Sequence, residues 1–184
     1  PAISVGLPSV ADRPGSCPGP PSAPLWADPH CWRQVNRCMR YWIERRRARL
    51  KPAFDTATTA ARKVGDLCAG MDDLCAGTCR YCPAPCCLTA HPWYDFADLL
   101  LLNLLNQSIP ARQILVTSDA PCRYLGSYGC RRPRLQRPFV CTWYICPTQR
   151  RRASRRLLEH LNAEIQALKM LRRLMEEAFL RAVQ

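Results

Sequence analysis

Residues 67–91 read LCAGMDDLCAGTCRYCPAPCCLTAH, and the fold turns on them. Six of the thirteen cysteines fall here: Cys68, Cys75, Cys79, Cys82, Cys86 and Cys87. Cys79 and Cys82 are two residues apart, a spacing at which two thiolates reach one ion from a single turn. Alone, that pair is a weak signal. Here it runs into Cys86-Cys87 and is answered downstream by Cys122, Cys130, Cys141 and Cys146. The candidate metal ligands are therefore Cys79, Cys82, Cys86, Cys87, Cys122, Cys130, Cys141 and Cys146. Thiolates select zinc, copper(I) and iron–sulfur clusters over calcium or magnesium. The expected cofactor is an iron–sulfur cluster or zinc. Two closed tetrahedral zinc sites would use all eight cysteines, whereas a four-iron cluster would use four and leave the rest for a second ion. Cys68 and Cys75 stay open, as does His91, for which a role as a connector histidine outweighs ligation.

Working outward, residues 1–29 hold eight of the seventeen prolines and read as an extended tail that cannot fold alone. A helix is expected from Pro29 to about Leu50, with Cys31, Val35, Cys38, Trp42 and Ile43 on one apolar stripe and Pro52 as its stop. Cys31 and Cys38 read as core thiols on that stripe. The segment from Phe54 to about Asp73 should be helical in part. After the first cluster, Trp93 to Asn106 is apolar nearly all round and predicts a buried central helix, with Asp95 and Asp98 in its first turns. Ile114–Thr117 is a strand candidate and Ser118–Pro121 a turn. Cys122 to Cys130 predicts a hairpin bent at Gly126 and Gly129, and the β-branched and aromatic run from Phe139 to Ile145 a further strand. From about Ser154 a long helix carries Leu161, Leu168, Met175 and Ala182 at heptad intervals, broadened by Leu158, Ile165, Leu171 and Phe179. That width favours packing on the domain over a dimer zipper.

The expected fold is therefore mainly α: a small cysteine-rich domain organised by metal, with short β hairpin elements and a long C-terminal helix. Its divisions are a tail over residues 1–29, a cysteine-cluster domain over 30–147 and a packed C-terminal helix over 148–184. No apolar run is long enough to cross a bilayer. No basic segment followed by an apolar one opens the chain, so a cytoplasmic protein with reduced thiols is expected. The formal net charge is +13. Eight thiolates and two divalent ions would bring it to roughly +9, still basic. Basic runs at Arg45–Lys51, Arg131–Arg134 and Arg150–Arg156 fit neutralisation of the chain's own thiolates best. Nucleic acid is a second partner, less favoured, and an acidic protein or lipid a third. Five arginines at a helix N-terminus would oppose its dipole and call for an anion nearby.

The cysteine pattern resembles the YkgJ-type family of zinc- or iron-chelating proteins, whose cluster has the form CxxCxxxCC. The matching residues are Cys79, Cys82, Cys86 and Cys87, then Leu88-Thr89 ahead of a leucine-rich helix with Asp95 or Asp98. Cys122 to Cys130 matches the family's Cys-x7-Cys element, and Arg137-Pro138, Cys141 and Cys146 its closing one. The resemblance covers about residues 75–147 and implies metal binding. Cys75, Cys79 and Cys82 also fit the three-cysteine loop of radical SAM enzymes, but the downstream chain lacks the βα units such a barrel needs. The leading expectation is a non-catalytic metal-binding protein with a structural, redox or electron-transfer role. An iron–sulfur-dependent enzyme or modification module and a zinc-knuckle nucleic-acid binder are the alternatives.

Overall fold

The computed structural model describes residues 26–88, 90, 92–114, 121–127 and 129–184. The architecture is mainly helical, as expected. Helix α1 runs Pro29–Arg45, α2 Lys51–Thr78, α3 Phe96–Leu104, α4 Phe139–Trp143, α5 Pro147–Arg152 and α6 Arg155–Val183. Single 3₁₀ turns sit at Cys79–Tyr81, Cys86–Leu88 and Arg134–Gln136. The β structure among the described residues is one hairpin, β1 Leu125–Gly126 against β2 Gly129–Cys130, with Leu125 opposite Cys130. Gly129 has a φ of +106°, a region open to glycine at no steric cost.

The scaffold is the pair α2 and α6. Ala53, Ala57, Ala60, Val64, Leu67 and Met71 give α2 a buried face of mostly small side chains. Leu161, Ile165, Leu168, Met175 and Phe179 of α6 are buried. Leu161 lies beside Gly70, while Glu164 bonds Lys63 at 2.9 Å, so the two helices run antiparallel. The heptad positions thus serve packing within the chain. Helices α1 and α3 complete the core, with Leu99, Leu100 and Leu102 of α3 almost fully buried.

Several boundaries differ from the sequence reading. Helix α1 ends at Arg45, five residues early, and Pro52 occupies the first turn of α2, where a missing N–H costs nothing. The buried stripe of α1 is Cys31, Trp32, Asn36, Met39 and Ile43, while Val35, Cys38 and Trp42 are half-buried. Trp32 wins the interior because its indole N–H reaches the Pro110 carbonyl at 2.8 Å. Cys31, expected as a reduced thiol, is disulfide-bonded, with a partner outside the described residues. The other eleven described cysteines are free thiols.

The strand expected at Phe139–Ile145 is a helical turn instead. Pro138 fixes its entry, and the buried Asp98 carboxylate accepts the Phe139 N–H at 3.1 Å, a tertiary cap that overrides β propensity. The arginines at 150–156 are split by the break at Ala153-Ser154. Arg150, Arg151 and Arg152 close α5, where the dipole favours cations, and Ser154 caps α6. Of the strand expected at Ile114–Thr117, only Ile114 lies within the described residues, and it is buried outside any regular element. The turn at Ser118–Pro121 falls outside them except for Pro121.

Candidate metal centre

Helix α2 delivers the first cysteines. Cys68 faces the core, and burial pushes its thiol up from its ordinary value. Cys75 follows near the helix end, and Cys79 begins the 3₁₀ turn four residues on, so both lie on one helical face. A second turn presents Cys86 and Cys87. There the Cys87 carbonyl accepts the Cys122 N–H at 2.9 Å, tying the first cluster to the second by a backbone bond. The hairpin places Cys122 and Cys130. Arg137 bridges the Cys130 carbonyl at 3.3 Å and the Arg132 carbonyl at 2.9 Å, fixing the ligand strand through its backbone. Cys141 rides on α4, held by the Asp98 cap.

The cysteines form two neighbourhoods. In the inner one, Cys87, Cys122, Cys130 and Cys141 converge from three segments of chain. Burial pushes Cys141 up to about 12, helped by the approach of Cys130 and Cys122. Cys87 is raised by its neighbour Cys86 first, then by burial and by Cys122 and Cys141. The outer neighbourhood is built on Gln149, which is buried. Its side-chain amide donates to Cys75 Sγ at 3.3 Å and Cys79 Sγ at 3.5 Å. Its backbone N–H donates to Cys146 Sγ at 3.4 Å, and its Oε1 accepts the Cys146 N–H at 3.0 Å. One residue thus contacts three thiols. Cys79 is pushed up to about 11 by burial and then by Cys75, with Cys86 a further contributor.

The adjacent pair is split between the two groups. The Cys87 thiol stabilises the Cys86 thiolate and draws Cys86 down to about 6. Cys82, of the expected ligand set, is half-buried and follows Cys79 through a 3₁₀ turn, its backbone N–H on the Cys79 carbonyl at 3.3 Å. Arg134, paired with Asp72, reaches the thiol of Cys75, which the sequence left open. Two sequence signals point to the Gln149 group. Cys75 and Cys79 are at i and i+4, and Cys146-Pro-Thr-Gln149 has the spacing of a capping box. His91 lies outside the described residues.

Among the described residues no three His, Cys, Asp or Glu side chains are arranged to hold an ion as they stand. The sulfurs share neighbourhoods without forming a coordination polyhedron. What the donor set can do follows from its chemistry. Partly buried thiols that raise one another's pKa are eased by a cation, and soft thiolates fit zinc or iron–sulfur iron. The described residues hold nothing resembling the barrel a radical SAM loop requires, and Cys75 sits within α2 instead of a loop. No family model, no curated protein and no solved structure matches this chain. Among the described residues no helix is long and apolar enough to cross a membrane.

Proposed function

We propose that this chain is a thiolate metal-binding protein with two centres, non-catalytic, whose ions organise residues 79–146 and serve a structural, redox or electron-transfer role. The observation that supports it is the convergence of Cys87, Cys122, Cys130 and Cys141 from three separate segments, with a backbone bond between the first two. No helical or strand period brings them together. Cys75, Cys79, Cys86 and Cys146 are the ligands of the outer centre, with the Gln149 amide supporting their sulfurs. Zinc would fill two tetrahedral sites, and a four-iron cluster would take one group. The inner centre, nearer the core, is the structural one. The outer centre has Cys79 and Cys86 exposed and is the place for exchange or electron transfer.

Metal analysis of anaerobically purified protein tests this reading. Brown protein absorbing near ~400 nm contains iron–sulfur, and colourless protein with two equivalents of metal contains zinc. Cys122→Ser and Cys75→Ser should each remove one centre, while Cys82→Ser should leave both. Protein that neither carries nor takes up metal would refute the proposal, and loss of metal from Cys82→Ser alone would refute the ligand assignment.

A further inference from the structure

Beside the inner cysteines lies an open cavity of about 550 Å³ lined by Ala111, Arg112, Arg123, Tyr124, Arg131, Arg132 and Pro133. Four arginines thus line one concavity from three stretches of chain. Their partners are neutral. Arg123 donates to the Arg112 carbonyl at 2.6 Å and Arg131 to the Arg123 carbonyl at 2.9 Å. Arg132 donates to the carbonyls of Gln136 at 3.0 Å and Ser108 at 2.8 Å. Among the described residues none of the four pairs with a carboxylate; the ion pairs engage Arg134, Arg155, Arg172 and Arg181 instead.

The arrangement is built. The Tyr124 ring carries the guanidinium carbons of Arg123 at 5.0 Å and Arg132 at 5.2 Å from its centroid, holding two like charges together through its quadrupole. Gly126 makes room for a third: a Cβ there would stand 2.9 Å from Arg131 Cγ. Nor are these the charges that serve the thiols. The cations that lower the buried Cys68 and Cys141 are Arg134 and Arg137, neither of which lines the cavity.

We infer that this cavity is a binding site for a compact polyphosphate, such as the di- or triphosphate group of a nucleotide. Each guanidinium keeps N–H donors beyond those spent on carbonyls, in a planar fork that matches phosphate oxygens two at a time. The volume lies within the range of small-ligand sites. Four cations in one pocket match the several charges of a polyphosphate, whereas a nucleic-acid strand would call for a groove along which charges repeat. The site's residues are distinct from the proposed ligands but lie within the region those ions would organise, so binding is measured on metal-replete chain.

Isothermal titration of the full metal-replete chain with sodium tripolyphosphate, then with ATP, at low ionic strength tests the inference. The expected result is saturable one-to-one binding that weakens steeply with added salt. Arg112→Gln, whose side chain makes no hydrogen bond among the described residues, should weaken it about tenfold, and Arg131→Gln at least as much. The remote Arg155→Gln should change nothing. Absence of saturable binding, equal weakening by Arg155→Gln, or unaltered binding in an Arg112→Gln/Arg131→Gln double variant would overturn the site. So would binding of a single-stranded oligonucleotide without binding of tripolyphosphate.

Discussion

Along α2 and α6 a residue's place follows from its period, whereas between Cys79 and Cys146 it follows from individual polar bonds. In the helix pair, alanines and leucines bury themselves at every third or fourth position, and exchanging one apolar residue for another of like size would preserve the pattern. In the cysteine region, α3 apart, the regular elements are short helical turns and a hairpin with two residues per strand. There Gln113 holds both the N–H and the carbonyl of Tyr94, at 2.8 Å each, and the Tyr94 hydroxyl donates to the Gln136 carbonyl at 2.6 Å. The difference teaches which parts hold themselves together: α2, α6 and α3 bury apolar faces of their own, whereas the turns that carry the cysteines have little apolar surface to bury.

The sharpest way to break the comparison is to withdraw the metal. Chelation should unfold residues 79–146 while α2 and α6 keep their amide protection, because metal affinity and folding free energy are one quantity in a thiolate-organised region. Hydrogen exchange read by mass spectrometry checks this, and uniform protection before and after chelation would contradict it.

Next comes the joint between the regions. Asp98 caps α3 in a box with Asp95, accepts the Phe139 N–H and receives Arg172 from α6 at 2.7 Å. Arg172 also covers the Phe139 ring at 4.4 Å. Arg172→Ala should destabilise the protein by about 3–5 kcal/mol, because a buried carboxylate loses its partner. Asp98 is already raised to about 6 by burial against the pull of Arg172, so the variant carboxyl should rise further and become largely protonated at neutral pH. Urea denaturation measures the first effect, and the carboxyl carbon resonance of Asp98 followed against pH the second.

Within the helix pair, Leu168→Ala should cost about 2–5 kcal/mol through the cavity it leaves. Unlike chelation, it should lower protection in both helices together. The finest contrast is between two exposed thiols of the outer group. In the folded chain Cys86 is drawn down to about 6 and Cys79 pushed up to about 11. Once chelation unfolds their region, both should return to the ordinary thiol range and alkylate at like rates at pH 7. Peptide mapping after a short iodoacetamide pulse checks this, and a lasting difference between the two would contradict it.

How much of this was legible follows the same division. Leu161, Leu168, Met175 and Ala182 announced the face of α6 because a helix repeats, and the glycines at 126 and 129 announced the hairpin. The helical turn at Phe139–Trp143 was illegible because its cap comes from Asp98, forty-one residues away, and local propensity pointed to strand. Cys75 was left open because its contact with the Gln149 amide, 74 residues away, has no local signal. The arginines after Cys146 looked opposed to a helix dipole only because the break at Ala153 was invisible. The grouping of cysteines was readable as a set, but its partition was not: that depends on a backbone bond between Cys87 and Cys122 and on the amide of Gln149.

The joint at Asp98 also sets an order of events in the making of the protein. Its partner Arg172 lies 74 residues downstream, and Glu164 lies 101 residues beyond Lys63. While the chain emerges from a ribosome, α2 therefore stands with its apolar face bare, and every cysteine of both groups is synthesised before α6 arrives to cover it. The region can close only once the chain has been made as far as Arg172, so its closure trails the synthesis of its own cysteines. For that interval the free thiols of both groups stand without the helix that covers them, open to oxidation and to mispairing with one another.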